Sequence, residues 1–329
     1  MRAISYTRTG PAAEVLALEE RPVPEPAEGQ VRVAISHSGV NPSDVKTRAG
    51  ARTTALPFPR IVPHSDGAGV IDAVGPGVDP QRAGQPVWVW NAAWGRPDGT
   101  AADYVVLPQA QAVPLPAGVD PAVGACMGIP GLTAYHAVHV NGGVAGRSVL
   151  VAGGAGAVGY YAVQMARIDG ARTVIATVSS AEKAAIAREA GADHVINYRE
   201  EDVVARVAEI TADQGVERII EVELSGNARQ DLEMIAPDGQ IVVYGSDRPA
   251  AEVAFMLAIL RNVCLQFFIV YNLSADARNR AISGVNRLLE AGVLRHRIAE
   301  QLPLEQCAEA HRLVEERTAI GNVVLYMGA

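Results

Sequence analysis

The run Ser148-Val149-Leu150-Val151-Ala152-Gly153-Gly154-Ala155-Gly156-Ala157-Val158-Gly159 is where residue type and spacing first point to chemistry. A short apolar strand leads straight into a glycine-rich turn, and the turn feeds an amphipathic helical pattern over 158–168. Gly154, Gly156 and Gly159 stand at G-x-G-x-x-G spacing. In that arrangement the first glycine permits a tight turn, the second lets a pyrophosphate approach the backbone, and the third lets helix and strand pack closely. The N–H groups at the start of the helix then face the phosphates. Glycine-rich loops often only turn a chain, but here the strand and the helix are both present, so the run is read as a dinucleotide site.

The end of the next strand selects the dinucleotide. Where the ribose 2′-hydroxyl is bound, a carboxylate stands roughly 20 residues past the glycines. Here strand 173–178 is followed by Ser179-Ser180-Ala181-Glu182-Lys183, with no acid at the strand end. Hydroxyl donors, a helix N-terminus and Lys183 suit a 2′-phosphate, which a carboxylate would repel. Ser179 or Ser180 can cap the helix at the same time. NADPH is therefore expected over NADH.

Other chemistry is sparse. A structural zinc site takes four closely placed ligands; Cys126, Cys264 and Cys307 lie far apart. His64 precedes Ser65-Asp66 near a turn and has no companion ligand at useful spacing. His136 and His139 read as a polar helix edge, and His37, His194, His296 and His311 are dispersed. No metal is expected. Sequence neighbours such as His64-Ser65-Asp66 cannot hold the geometry of a nucleophile triad. Hydride transfer proceeds without a metal when the acceptor is already electrophilic, the protein supplying position and polarising donors. A quinone or conjugated enone meets that condition; an unactivated ketone does not.

Several elements must position these residues. The chain has 329 residues, 49% of them hydrophobic and 19% charged, enough for two domains with large cores. The net charge of −8 argues against a nucleic-acid or anionic-membrane surface. Three scattered cysteines and no apolar leader suit a reducing cytoplasm. The longest apolar stretch, 253–271, is broken by Arg261, Asn262 and Gln266 and is too polar for a membrane span. Over the first third, short apolar runs (30–36, 69–74, 86–90, 102–107) alternate with turns such as Gly75-Pro76-Gly77, which predicts a partly open β-barrel. From about residue 122 the pattern becomes strand–helix–strand. It predicts strands at 148–153, 173–178, 194–197, 217–222, 240–244 and 264–270, with helices near 157–168, 181–190, 201–210, 227–235 and 252–260. This is the pattern of an α/β, doubly wound parallel sheet. A long helix near 275–291 follows, and a strand at 322–326 is expected to rejoin the first domain.

Taken in order, several stretches resemble one family over essentially the whole chain. They are Gly39-Val40-Asn41-Pro42-Ser43-Asp44, Ser65-Asp66-Gly67-Ala68-Gly69-Val70-Ile71, Gly128-Ile129-Pro130-Gly131-Leu132-Thr133-Ala134-Tyr135, the glycine turn, and Asn197-Tyr198-Arg199-Glu200. The sequence resembles the zinc-free quinone oxidoreductases, the zeta-crystallin-like group of the medium-chain dehydrogenase/reductase superfamily. The resemblance implies a GroES-like catalytic domain, 1–124 with 271–329, around a Rossmann NADPH-binding domain, 125–270, with the cofactor in the cleft between them. It implies that Ala155, Gly156, Ala157 and Val158 hold the pyrophosphate, and that Ser179, Lys183 and Tyr198 hold the 2′-phosphate end. Asn227, Gly245 and Ser246 would line the ribose and nicotinamide side, backbone from Phe268 to Val270 would hold the carboxamide, and Arg317 matches a position that reaches the 2′-phosphate in some relatives. Asn41 and Thr133 match positions close to the nicotinamide. The zinc-ligand positions of the superfamily's alcohol dehydrogenases fall near Asn41, Ser65 and Ile129. A homodimer through the strand near 265–271 is the default.

The sequence departs from that group in two places. Lys46 and Arg52 stand where tyrosines are usual at the substrate mouth, which makes the acceptor pocket more cationic, and Gln266-Phe267-Phe268 is bulkier than the common pattern. The expected activity is hydride transfer from NADPH to a quinone. Asn41, Lys46 and Arg52 would orient or polarise the acceptor, Thr133 would position the nicotinamide, and water or Lys46 would supply the final proton, since no carboxylate or histidine stands out as the acid. An NADPH-dependent enone or enoyl reductase and a non-catalytic NADPH-binding sensor are the rival readings.

Overall fold

The computed structural model describes residues 1–51 and 53–328. These divide into two compact units, residues 1–131 with 285–329 and residues 132–284. Both boundaries lie later in the chain than 124/125 and 270/271; the second falls inside one unbroken helix, Ala275–Glu290.

Among the described residues, the second unit contains a six-stranded sheet in the spatial order His194–Asn197, Thr173–Val178, Ser148–Val151, Val216–Glu221, Ile235–Val243, Cys264–Phe267. Every neighbouring pair is parallel. Numbered along this unit, the order is 3-2-1-4-5-6, the doubly wound arrangement, whose order reverses beside Ser148–Val151. That strand is buried at every position, as expected of a central parallel strand covered by helices on both faces. Leu150, Ile175, Ile196, Ile219 and Ile241 join Val207 and Leu232 from the helices in one core.

One strand of this sheet carries a buried cation. Arg218 is fully buried, and its guanidinium donates to the carbonyls of Ala137 and Val140, each at 3.0 Å, and of Gly143 at 3.3 Å. These carbonyls lie at and just beyond the C-terminal end of helix Leu132–His139, where helical carbonyls lack intrahelical partners. Arg218 therefore pins the helix that carries Thr133 and His136.

The first unit is built on strand Gln30–Val40, whose interior alternates buried and half-buried residues. One edge pairs with Asp66–Val74; the other pairs with Tyr104–Pro108 and then with Asn322–Tyr326. The closing strand thus rejoins this unit as expected. Register shifts between Arg32 and Val33 and between Ile35 and His37 bend the long strand. The sheet ends at Ile298–Pro303 on one side and Ala112–Pro114 on the other, leaving the barrel open. Among the described residues no helix is long and apolar enough to cross a membrane.

Candidate functional site

In the second unit the glycine turn follows Ser148–Val151 at the reversal of strand order. The Gly154 N–H donates to Thr177 O at 3.1 Å and the Gly156 N–H to Gly153 O at 2.9 Å, which closes the turn. Helix Ala157–Ile168 begins at once, with no side-chain cap. The two later glycines serve different ends. A Cβ on Gly159 would lie 2.2 Å from Gly153 O and 3.0 Å from Gly154 Cα, so helix and turn close on each other there. A Cβ on Gly156 would meet only Gly153 O, at 3.3 Å, and open space otherwise. Beside that open space, around Ala155, Ala157 and Val158, uncapped first-turn N–H groups are available to an anion. The cradle fits a pyrophosphate.

Ser180 caps the next helix, accepting from Lys183 N at 3.3 Å, so Ser179 is left to the Lys183 ammonium, which donates to its hydroxyl at 3.1 Å. The Tyr198 N–H donates to Val178 O at 3.0 Å, which sets this exposed tyrosine beside Ser179. The fold thus brings Ser179, Lys183 and Tyr198 to one edge of the sheet with a hydroxyl, a cation and an aromatic face.

At the ends of the last two strands lies a cavity of about 730 Å³, whose walls include His136, Gly245, Ser246, Arg248, Phe268 and Asn272. Three expected nicotinamide-side residues, Gly245, Ser246 and Phe268, share that wall. Val270 is buried, and its carbonyl accepts from Arg278. Asn227 sits on helix Leu224–Met234 and donates to Glu221 Oε1 at 3.1 Å. Glu221 and Asp231 form a buried carboxyl pair, and burial, with each beside the other, raises both above the usual carboxylate range. Sequence reasoning placed His136 on a polar helix edge. Instead its ring meets Phe268 edge-on, 4.6 Å between centroids, and burial with Arg280 and Arg278 nearby holds it down at about 4, a neutral imidazole. Its helical position was the only local signal. Thr133 is buried in the first turn of the same helix.

In the first unit, Asn41 precedes helix Pro42–Ala49, and the half-buried Lys46 lies in that helix's last turn. Arg52 lies outside the described residues. Arg317 has φ 57° and precedes strand Asn322–Tyr326. Asn41 is buried, and its Nδ2 donates to Asp66 Oδ1 at 2.6 Å. The Ile129 N–H donates to Asp66 Oδ2 at 3.2 Å, and the Asn41 N–H donates to Asp44 Oδ2 at 2.9 Å. Burial drives both carboxyls upward: Asp44 to about 7, and Asp66 well above the usual range with Asp44 adding to the effect. Two acids, Asp44 from the same helix turn and Asp66 from 25 residues along the chain, are thus buried around Asn41.

These contacts also test the zinc positions. Asn41, Ser65 and Ile129 offer an amide, a hydroxyl and an aliphatic side chain, and the Asn41 and Ile129 donors converge on a carboxylate. None of these three side chains is a thiolate, an imidazole or a carboxylate, the ligand types that hold zinc. A second group corrects the view that the histidines are dispersed. His64, Cys307 and His311 are buried together, with His64 Nε2 to His311 Nε2 at 2.9 Å and Cys307 Sγ to His64 Nε2 at 4.0 Å. Their hydrogen bonds have one consistent order. Thr100 Oγ1 donates to Asp66 O, Ser38 to Thr100, His64 Nδ1 to Ser38, and His311 Nε2 to His64 Nε2. Burial holds His64 down at about 3 and His311 well below its usual value, with His64 and Arg48 contributing to the latter. Burial also raises the Cys307 thiol. His64, Cys307 and His311 thus form a buried hydrogen-bonded group beside the buried Arg48, each offering a ligand atom within 4.8 Å of the others.

The sequence pattern of the family described as zinc-binding dehydrogenase matches residues 157–287, and that of the alcohol dehydrogenase GroES-like domain matches 27–117. The quinone oxidoreductase of Pongo abelii is 31% identical over 99% of this chain and 98% of its own length. A solved NAD-dependent alcohol dehydrogenase superposes with a TM-score of 0.90 at 31% identity, over 100% of both chains. The Escherichia coli quinone oxidoreductase complexed with NADPH does so with a TM-score of 0.88 at 27% identity, over 99% of this chain and 100% of that one.

Proposed function

The chain belongs to the zeta-crystallin-like quinone oxidoreductase group of the medium-chain dehydrogenase/reductase superfamily, and on that premise we propose that it is a zinc-independent, NADPH-dependent reductase of quinones. The observation that carries the cofactor choice is the Ser179–Lys183 pair at a strand end that bears no carboxylate. Bound NADPH supplies the hydride. Uncapped N–H groups at Ala157 and Val158 hold its pyrophosphate. Ser179, Lys183 and Tyr198 hold the 2′-phosphate. Asn227, Gly245, Ser246, Phe268 and Val270 line the ribose and nicotinamide side, and Thr133 positions the ring. Asn41 orients the acceptor oxygen, and Lys46 draws negative charge toward it as the acceptor takes two electrons. The proton that completes the product comes from Lys46 or water. Conjugated enones share the electrophilic carbon this chemistry needs and form the second acceptor class.

Steady-state oxidation of NADPH and of NADH, measured against quinones, enones and acyl thioesters, tests the reading. Quinone turnover with NADPH favoured is expected, with no stoichiometric zinc in the active protein. Preference for NADH, or activity that requires zinc, overturns it. Quenching of the tryptophans by NADPH without turnover of any acceptor identifies a sensor instead. Phe255, Met256, Ile259 and Leu260 on one helix, with Phe267 on the edge strand, are exposed. Such an apolar edge favours pairing of two copies. Light scattering is expected to give a dimer mass, and Leu260→Glu a monomer.

A further inference from the structure

We propose that Asp66 is a positioning residue for the reduction, its side chain locking the Asn41 amide into the one orientation it presents to the acceptor. The inference rests on the acceptor-orienting role given to Asn41 above. An amide offers two donors on nitrogen and two lone pairs on oxygen, and by itself can turn over. Here one Nδ2 hydrogen is committed to Asp66 Oδ1 at 2.6 Å. Both Asp66 oxygens accept N–H bonds here, from Asn41 and from Ile129, so reversing the amide would set its carbonyl oxygen against an accepting oxygen. The carbonyl oxygen accepts from the Asp44 N–H in the helix capping box, so with both ends of the amide held the other N–H keeps a fixed direction. The Asp66 side chain is held in turn, since Ile129 N donates to Oδ2 at 3.2 Å and Thr100 donates to the Asp66 backbone carbonyl at 2.7 Å.

The surrounding backbone is shaped for this side chain. A Cβ on Gly39 would lie 2.8 Å from Asp66 Oδ1 and 2.2 Å from Ala125 O. A Cβ on Gly128 would lie 2.5 Å from Asp66 Cβ. Two glycines from separate segments thus open the space that the acid fills, and Asp66 is itself fully buried.

The test is a double-mutant cycle. D66N keeps the shape but frees the amide, because an Asn at 66 can donate or accept. D66N, N41A and the double variant are assayed for kcat and KM with 1,4-benzoquinone and with methyl vinyl ketone at saturating NADPH, and for NADPH affinity by tryptophan quenching. D66N is expected to lower kcat roughly 10- to 100-fold, the scale of a misplaced catalytic group, with NADPH affinity little changed. The double variant should be no slower than N41A. Independent, multiplying losses, or an unchanged kcat in D66N, overturn the proposal. An unchanged kcat in N41A removes the role of Asn41 instead. Where wild type turns over neither acceptor, the proposed function itself falls. Should D66N fail to fold, NMR of the wild-type Asn41 side-chain amide, identified by its loss in N41A, decides. One slowly exchanging, downfield proton supports the lock, and two freely exchanging protons refute it.

Discussion

Replacing Gly156 and Gly159 in turn by alanine separates what the glycine turn does for the fold from what it does for the ligand. Gly156 has φ −76° and ψ 171°, which alanine adopts freely, and its new Cβ meets only Gly153 O at 3.3 Å. The turn absorbs that by a few tenths of an ångström, and the lost freedom of the unfolded chain offsets part of the cost, by about 0.4–1 kcal/mol. The methyl group nevertheless occupies the open side of the cradle, where the pyrophosphate is proposed to lie. Losing one hydrogen bond to a charged acceptor there costs about 1.5–3 kcal/mol, so the Kd for NADPH should rise roughly 10- to 150-fold. Gly159→Ala acts in the other way. Its Cβ would stand 2.2 Å from Gly153 O and 2.8 Å from Gly153 C, both backbone atoms, so the turn itself must move. Overpacking of this kind costs about 1–3 kcal/mol, or a fall in Tm of ~2–12 °C for a unit of this size. Scanning calorimetry and isothermal titration with NADPH read the two effects separately. Wild-type affinity in Gly156→Ala would show that the turn is not the pyrophosphate cradle, whatever the stability data say. Wild-type stability in Gly159→Ala would remove the close-packing argument.

Three other outcomes follow from the same geometry. Ser179→Asp puts a carboxylate beside Lys183 and takes away a hydroxyl donor, so the ratio of kcat/KM for NADPH over NADH should fall about 100-fold, the scale of one lost charged contact plus repulsion; an unchanged ratio rules these residues out of the 2′-phosphate site. Arg218→Met strands the carbonyls of Ala137, Val140 and Gly143 and should cost ~3 kcal/mol in denaturant unfolding of the second unit, whereas a loss below about 1 kcal/mol would contradict the pinning role. The pH dependence has two opposed parts. His64 and His311 stay neutral in the fold while the unfolded chain protonates them near 6.5. Their stabilisation is full above that pH and is lost as pH falls, for His64 down to about 3, by up to ~1.4 kcal/mol per pH unit for each. Asp44, raised to about 7, holds its proton in the fold, so its contribution is full below about 3.8 and lost as pH rises through 7. Urea titrations should therefore find His311→Phe less steep on the acid side, and Asp44→Asn more stable than wild type at pH 8 but not at pH 4.

The legible parts of this protein are those whose partners are near in sequence. The strand, the glycine turn and the helix after it form one short segment, and Ser179 and Lys183 stand four residues apart across a helix start. Their chemistry follows from spacing and local conformation, which the chain fixes before it folds. Apolar periodicity marked the six parallel strands for the same reason. The residues that sequence reasoning missed or misjudged depend on distance closed by folding. Asn41 and Asp66 are 25 residues apart and His64 and His311 are 247 apart, and neither pair has a local signature. Whether His136 lies on a wet helix edge or a cavity wall depends on where Phe268 and two arginines arrive. Burial changed the meaning of Asp44, Asp66 and Asp231 more than their identity did, because a carboxyl is an ordinary surface acid until tertiary packing removes its water. Composition and spacing by themselves specified the fold class and the dinucleotide turn. Only the assembled structure decided which acids and imidazoles lost solvent, and so which of them are poised around Asn41.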